Sequence, residues 1–122
     1  MEKFIRRCEK CGSVLLDVKK CECEDSKITC CGEEMKLIVA NEDKDNNHTP
    51  TYFRQDGKIF IRIDHVMESD HFIEAIIVKT DSEILVHYLK SGDEPELILG
   101  YEDNMEIYSL CNKHGLWKVK VV

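Results

Sequence analysis

At 122 residues the chain can hold one ordinary domain, or one domain with a small module. Its 43% hydrophobic and 34% charged residues describe a soluble globular protein, and no apolar run approaches the roughly 20 residues of a membrane helix. A formal charge of -7 and a pI near 5.2 argue against nucleic acid as a partner, because phosphate binding needs clustered Lys and Arg and Lys19-Lys20 is too short a cluster.

The first ten residues scatter charges around Phe4 and Ile5 without an apolar stretch, so no secretory signal is expected and the cytoplasm is the expected compartment. Seven cysteines is an odd number for disulfides, and a reducing compartment disfavours them. Thiolate ligation of a metal is the expectation instead.

Residues 1–35 carry Cys8-Glu9-Lys10-Cys11-Gly12, then Cys21 and Cys23, then the adjacent pair Cys30-Cys31-Gly32. A CxxC followed by glycine is a metal knuckle, whose turn aims two sulfurs at one point and leaves backbone N–H groups free to bond them. With little beyond Phe4, Ile5, Val14, Leu15, Leu16 and Val18 to bury, such a short module needs a staple such as a metal. Spacing alone leaves open which four cysteines bind. Cys30 and Cys31 would point to opposite sides of an extended chain and must splay to share an ion. Cys21-Glu22-Cys23 is the competing pair, but between Lys19-Lys20 and Glu24-Asp25 it reads as a solvated loop with two spare thiols.

From Met35 the pattern becomes period-two alternation. Lys36 to Ala40 reads as one strand, and Ile59, Ile61 and Ile63 fall on one face of the next, with Phe60 and Arg62 opposite. His71, Ile73, Ala75 and Ile77 continue the habit, followed by Ile84, Val86 and Tyr88, by Met105 and Ile107, and by Trp117, Val119 and Val121 against Lys118 and Lys120. Turn signals separate these runs at Asp56-Gly57 and across Ser91 to Pro95, and Asn41 to Asn47 reads as a loop or a short helical turn. Short strands at this spacing predict an antiparallel sandwich.

Near the end, Cys111-Asn112-Lys113-His114-Gly115 places a thiol and an imidazole three positions apart on a tight turn, where both can face one ion. The other donors come from upstream. His65 shares the parity of Ile59, Ile61 and Ile63 and emerges at that strand's end, His71 returns after a short loop, and His48 precedes Thr49-Pro50 in a capping segment. His87 has no such company and is assigned to a strand surface. Four imidazoles and one thiolate exceed the four ligands of a closed zinc site and suit iron, which accepts six and would keep one position open. A thiolate opposite that opening would push electron density toward whatever binds there.

Four segments together resemble desulfoferrodoxin, the two-iron superoxide reductase family: Cys30 to Leu37, His65-Val66-Met67 with His71-Phe72-Ile73-Glu74, His87 to Asp93, and Cys111 to Trp117. The resemblance runs from about Cys8 onward. It implies a mainly β protein with a desulforedoxin-like iron-tetrathiolate module over 1–36, ligated by Cys8, Cys11, Cys30 and Cys31. An immunoglobulin-like antiparallel sandwich over 37–122 would follow, in which His48, His65, His71 and His114 ring a second iron with Cys111 axial. It further implies a homodimer, a rubredoxin-type electron donor, and one-electron reduction of superoxide to hydrogen peroxide. One departure stands out: where the family's capping loop usually reads Glu-Lys-His, this chain has Asn46-Asn47-His48. The alternatives are a non-catalytic iron-binding electron-transfer protein and zinc in the four-cysteine module.

Overall fold

The structure, a computed structural model, describes residues 3–19, 22–23 and 27–122, and the chain divides into two compact units, Met1–Val39 and Ala40–Val122. Among the described residues every regular element is a strand, and all pairing between strands is antiparallel.

In the first unit, β1 (Ile5–Arg7) is the middle strand of a small sheet between β2 (Val14–Leu16) and β5 (Lys36–Leu37). Among the unit's described residues the buried apolar ones are Phe4, Ile5, Cys8 and Met35, a very small core. Arg6 adds a fork onto the Asp17 carboxylate at 3.0 and 3.1 Å. Lys36–Leu37, expected to open a sandwich strand, pairs with β1 instead, and the Ile38 N–H donates to the Ile5 carbonyl at 2.8 Å. That pairing keeps the segment up to Val39 with the first unit.

A two-stranded hairpin, β3 (Thr29–Cys30) with β4 (Glu33–Glu34), completes this unit. Its two linking residues, Cys31 and Gly32, have φ of 53° and 78°. Positive φ at both positions is the signature of a type I′ turn, whose twist matches that of the flanking strands.

The second unit is a sandwich of a three-stranded and a four-stranded sheet. The first has the order β10 (Glu96–Gly100), β7 (Lys58–Arg62), β6 (Thr51–Gln55). The second has the order β12 (Gly115–Lys120), β11 (Glu106–Cys111), β8 (Ile73–Lys79), β9 (Ile84–Tyr88). Ile59, Ile61 and Ile63 meet Ile73, Ile76, Val78, Ile107 and Val121 in one core, as the alternation along β7 predicts.

Two details depart from the simple alternation. Pairing between β11 and β8 slips between Leu110↔Ala75 and Cys111↔Ile73, so β8 carries one extra residue. This bulge reverses the parity of the strand: Ile73 joins the core with Ile76 and Val78, while Ala75 and Ile77 are buried outside that cluster. Lys118, expected on a solvent face, is 2% exposed. Its ammonium pairs with the Glu106 carboxylate and lies 5.6 Å from the Tyr108 ring centre, so the charge is buried with a counter-ion and an aromatic face.

Candidate metal centres

The strand ends of the sandwich bring five side chains together. His48 comes from the loop before β6, His65 from the segment after β7, His71 from the turn before β8, and Cys111 and His114 from the β11–β12 hairpin. Their ligand atoms all lie within 4.8 Å of one another. His114 Nδ1 is 3.2 Å from His48 Nε2 and 3.0 Å from His71 Nε2. Neighbouring ligands on metal–nitrogen bonds of about 2.05 Å should stand roughly 2.9 to 3.3 Å apart, so these imidazoles fit a single ion. The Cys111 sulfur sits 3.9 Å from His65 Nε2 and 3.8 Å from His114 Nδ1. It is fully buried, whereas His114 is exposed and the other three imidazoles are half-buried.

Local chemistry explains these positions. Gly115, at φ 83°, makes the reversal that returns the chain from Cys111 into β12 while His114 faces back toward the thiol. Cys111 ends β11 opposite the bulge in β8, with its sulfur among the clustered imidazoles. Asn112 fastens the loop that carries His71: its Oδ1 accepts the Phe72 N–H at 3.0 Å, and its Nδ2 donates to the Asp70 carbonyl at 3.0 Å. The Lys113 N–H approaches the Cys111 sulfur at 3.5 Å. Trp117 stacks on His48 with ring centres 4.8 Å apart and donates its indole N–H to the His114 carbonyl at 3.0 Å. The His65 Nδ1 faces the Val66 carbonyl at 2.6 Å. Such partners orient metal-bound imidazoles.

Burial holds the His48 imidazole at about 4, helped by the like charges that His65, His114 and His71 would carry. Burial also lowers His65, against the Val66 carbonyl, which favours its protonated form. Both rings are therefore biased toward the neutral form a metal requires.

The first unit gathers Cys8, Cys11, Cys30 and Cys31. Sulfur separations of 3.6 Å for Cys11–Cys30 and 3.9 Å for Cys30–Cys31 bracket the roughly 3.8 Å edge of a tetrahedron with metal–sulfur bonds of about 2.3 Å. The left-handed backbone at Cys31 provides the splay that lets adjacent cysteines share an ion. The Cys8 knuckle closes through the Gly12 N–H, which donates to the Cys8 carbonyl at 2.9 Å. Crowding sets the thiols apart. The Cys11 backbone N–H, against some burial, draws Cys8 down to about 7, while hydrogen bonds with the Cys11, Cys8 and Cys31 sulfurs push Cys30 up to about 12. Four thiolates at this distance need a cation among them.

Every residue expected in either cluster is found there; His87 lies in β9 opposite Ile76, in neither. Cys23 departs from its reading as a spare thiol, being disulfide-bonded, and Cys21 lies outside the described residues. Sequence reasoning missed Asn46, Asn112 and Trp117 as partners of the ligands. Asn112 and Trp117 lie within the quoted Cys111 to Trp117 motif and Asn46 within the departing Asn46-Asn47-His48 loop, but nothing in the sequence showed which ring or loop each would hold.

The Desulfoferrodoxin family model matches residues 39–120. The chain belongs to the desulfoferrodoxin family. A desulfoferrodoxin homolog of Archaeoglobus fulgidus is 30% identical over 120 residues, covering 93% of this chain and 94% of that relative. The desulfoferrodoxin of Desulfarculus baarsii is 28% identical over 122 residues, covering 95% and 94%. Among solved structures, the superoxide reductase from Treponema pallidum superposes with a TM-score of 0.76 at 20% identity, over 98% of each chain. The desulfoferrodoxin fold therefore extends over both units.

Proposed function

We propose that this chain is a superoxide reductase, reducing superoxide by one electron to hydrogen peroxide at iron held by His48, His65, His71, His114 and Cys111. That iron is the second centre; the first is an iron held by Cys8, Cys11, Cys30 and Cys31 in a desulforedoxin-like module over the first 36 or so residues. The observation that carries the reading is the burial gradient of the five clustered donors: the Cys111 thiol is fully buried, His48, His65 and His71 are half-buried, and His114 is exposed. Five donors leave one position of an octahedral ion for a small molecule. The names of the matched relatives and of the superposed structure support the same chemistry.

Iron bound there supplies the electron, and with two protons from solvent the product is hydrogen peroxide. The chain's own residues do the rest. Neutral imidazoles add no charge and the thiolate adds one negative charge, so a divalent cation among them keeps a positive field that draws in a small anion. The Lys113 N–H tempers the electron density the sulfur donates. Exposure of His114 keeps the open face within reach of water as a proton source.

No described helix is long and apolar enough to cross a membrane. A cytoplasmic homodimer that receives electrons from a rubredoxin-type donor completes the proposal. Metal analysis with visible spectroscopy tests it on Cys111→Ser: the sulfur-to-iron band of the second centre should bleach and superoxide reduction should cease, while the first centre stays coloured and His87→Ala changes nothing. Full activity in Cys111→Ser would remove the thiolate from the mechanism, and a colourless zinc protein would end the redox account.

A further inference from the structure

His48 is the one imidazole of the five-donor set carried by the long connection between β5 and β6, and one oxygen governs its ring. Asn46 Oδ1 lies 2.9 Å from the His48 backbone nitrogen and 2.7 Å from its ring Nδ1. A backbone N–H can only donate, so the amide atom facing it must be the oxygen rather than the NH2 group. The same oxygen faces Nδ1, which must then carry the proton. The lone pair is left on Nε2, the atom 3.2 Å from His114 Nδ1 within the cluster. The Ser109 hydroxyl, itself fully buried, donates to the His48 carbonyl and holds its backbone, while Trp117 covers one face of the ring and Asn46 holds its Nδ1 edge.

We propose that Asn46 is a positioning residue of the second centre: it selects the metal-binding tautomer of His48 and, as a neutral acceptor, limits how strongly that imidazole donates to the ion. A carboxylate at the same place would pull harder on the Nδ1 proton and make Nε2 a stronger donor, favouring the more highly charged ion. The inference rests on the five-donor set binding iron, as proposed above.

The test uses the full-length iron-loaded protein and two variants. Asn46→Ala removes the acceptor and should lose ferrous iron from the second centre to a competing chelator about 10- to 100-fold more readily, with the first centre unaffected. Asn46→Asp keeps an acceptor for both N–H groups and should retain iron near the native level. Its reduction potential, followed through the sulfur-to-iron band, should fall below that of the native protein. Native iron retention in Asn46→Ala would overturn the proposal, as would equal iron loss in both variants or an unchanged potential in Asn46→Asp. Neither readout uses superoxide. A native protein that holds iron but fails to reduce superoxide therefore overturns the proposed function and leaves the role of Asn46 standing.

Discussion

Each donor in the sandwich site is held by a neighbour of different chemistry, and those neighbours explain why five residues from four segments converge. Donor types were legible in the sequence because Cys and His are sparse and their chemistry is narrow. Their partners were not, since an asparagine that braces a ring resembles any loop asparagine until the chain is folded. The His48 ring adds a pH dependence. Its folded value of about 4 lies below the ordinary 6.5, so the unfolded chain binds more protons as pH falls. In the metal-free protein the stability contributed by His48 should be complete above about pH 6.5 and lost between there and about pH 4. Urea melts of metal-stripped protein at pH 7 and pH 4.5 should differ less in His48→Gln than in the native chain. An identical difference in both would assign the acid sensitivity elsewhere.

At the scale of elements, two tight hairpins do the placing. The β3–β4 link presents two cysteines through left-handed backbone, and the β11–β12 link presents Cys111 and His114 around Gly115. A Cβ at Gly115 would meet nothing within 4 Å, so Gly115→Ala costs only the backbone strain of its φ of 83°, roughly 1 to 2 kcal/mol. That loss, with weakened iron binding at the second centre, should appear in denaturant melts and chelator competition. Gly100→Ala, equally free of contacts and without a positive φ, should change iron binding little. If both substitutions behave alike, backbone handedness at Gly115 is not what positions His114. Alternating isoleucines made β7 readable from sequence, whereas the parity of β8 was not, because one extra residue across from Cys111 reverses it. Burial of Lys118 was equally hidden, since its partners Glu106 and Tyr108 lie on the neighbouring strand.

Across the whole molecule, the two units differ in what keeps them folded. The sandwich has a core of isoleucines spanning two sheets, while among the described residues of the first unit the buried apolar ones are only Phe4, Ile5, Cys8 and Met35. Metal-binding free energy is therefore folding free energy for the smaller unit. Cys8→Ser, or stripping the metal with a chelator, should open the first unit to proteolysis while residues 40–122 stay resistant; equal resistance of both units would contradict this division of labour. Lys36–Leu37 alternates like a sandwich strand in the sequence yet hydrogen-bonds to β1. The most direct test of the account is pulse radiolysis of the fully reduced protein, with hydrogen peroxide and oxygen measured alongside the second centre's absorbance. The account predicts one peroxide for each superoxide consumed, one-electron oxidation of the second centre and no oxygen released. Oxygen evolution with half as much peroxide, or superoxide decay no faster than in buffer, would contradict it.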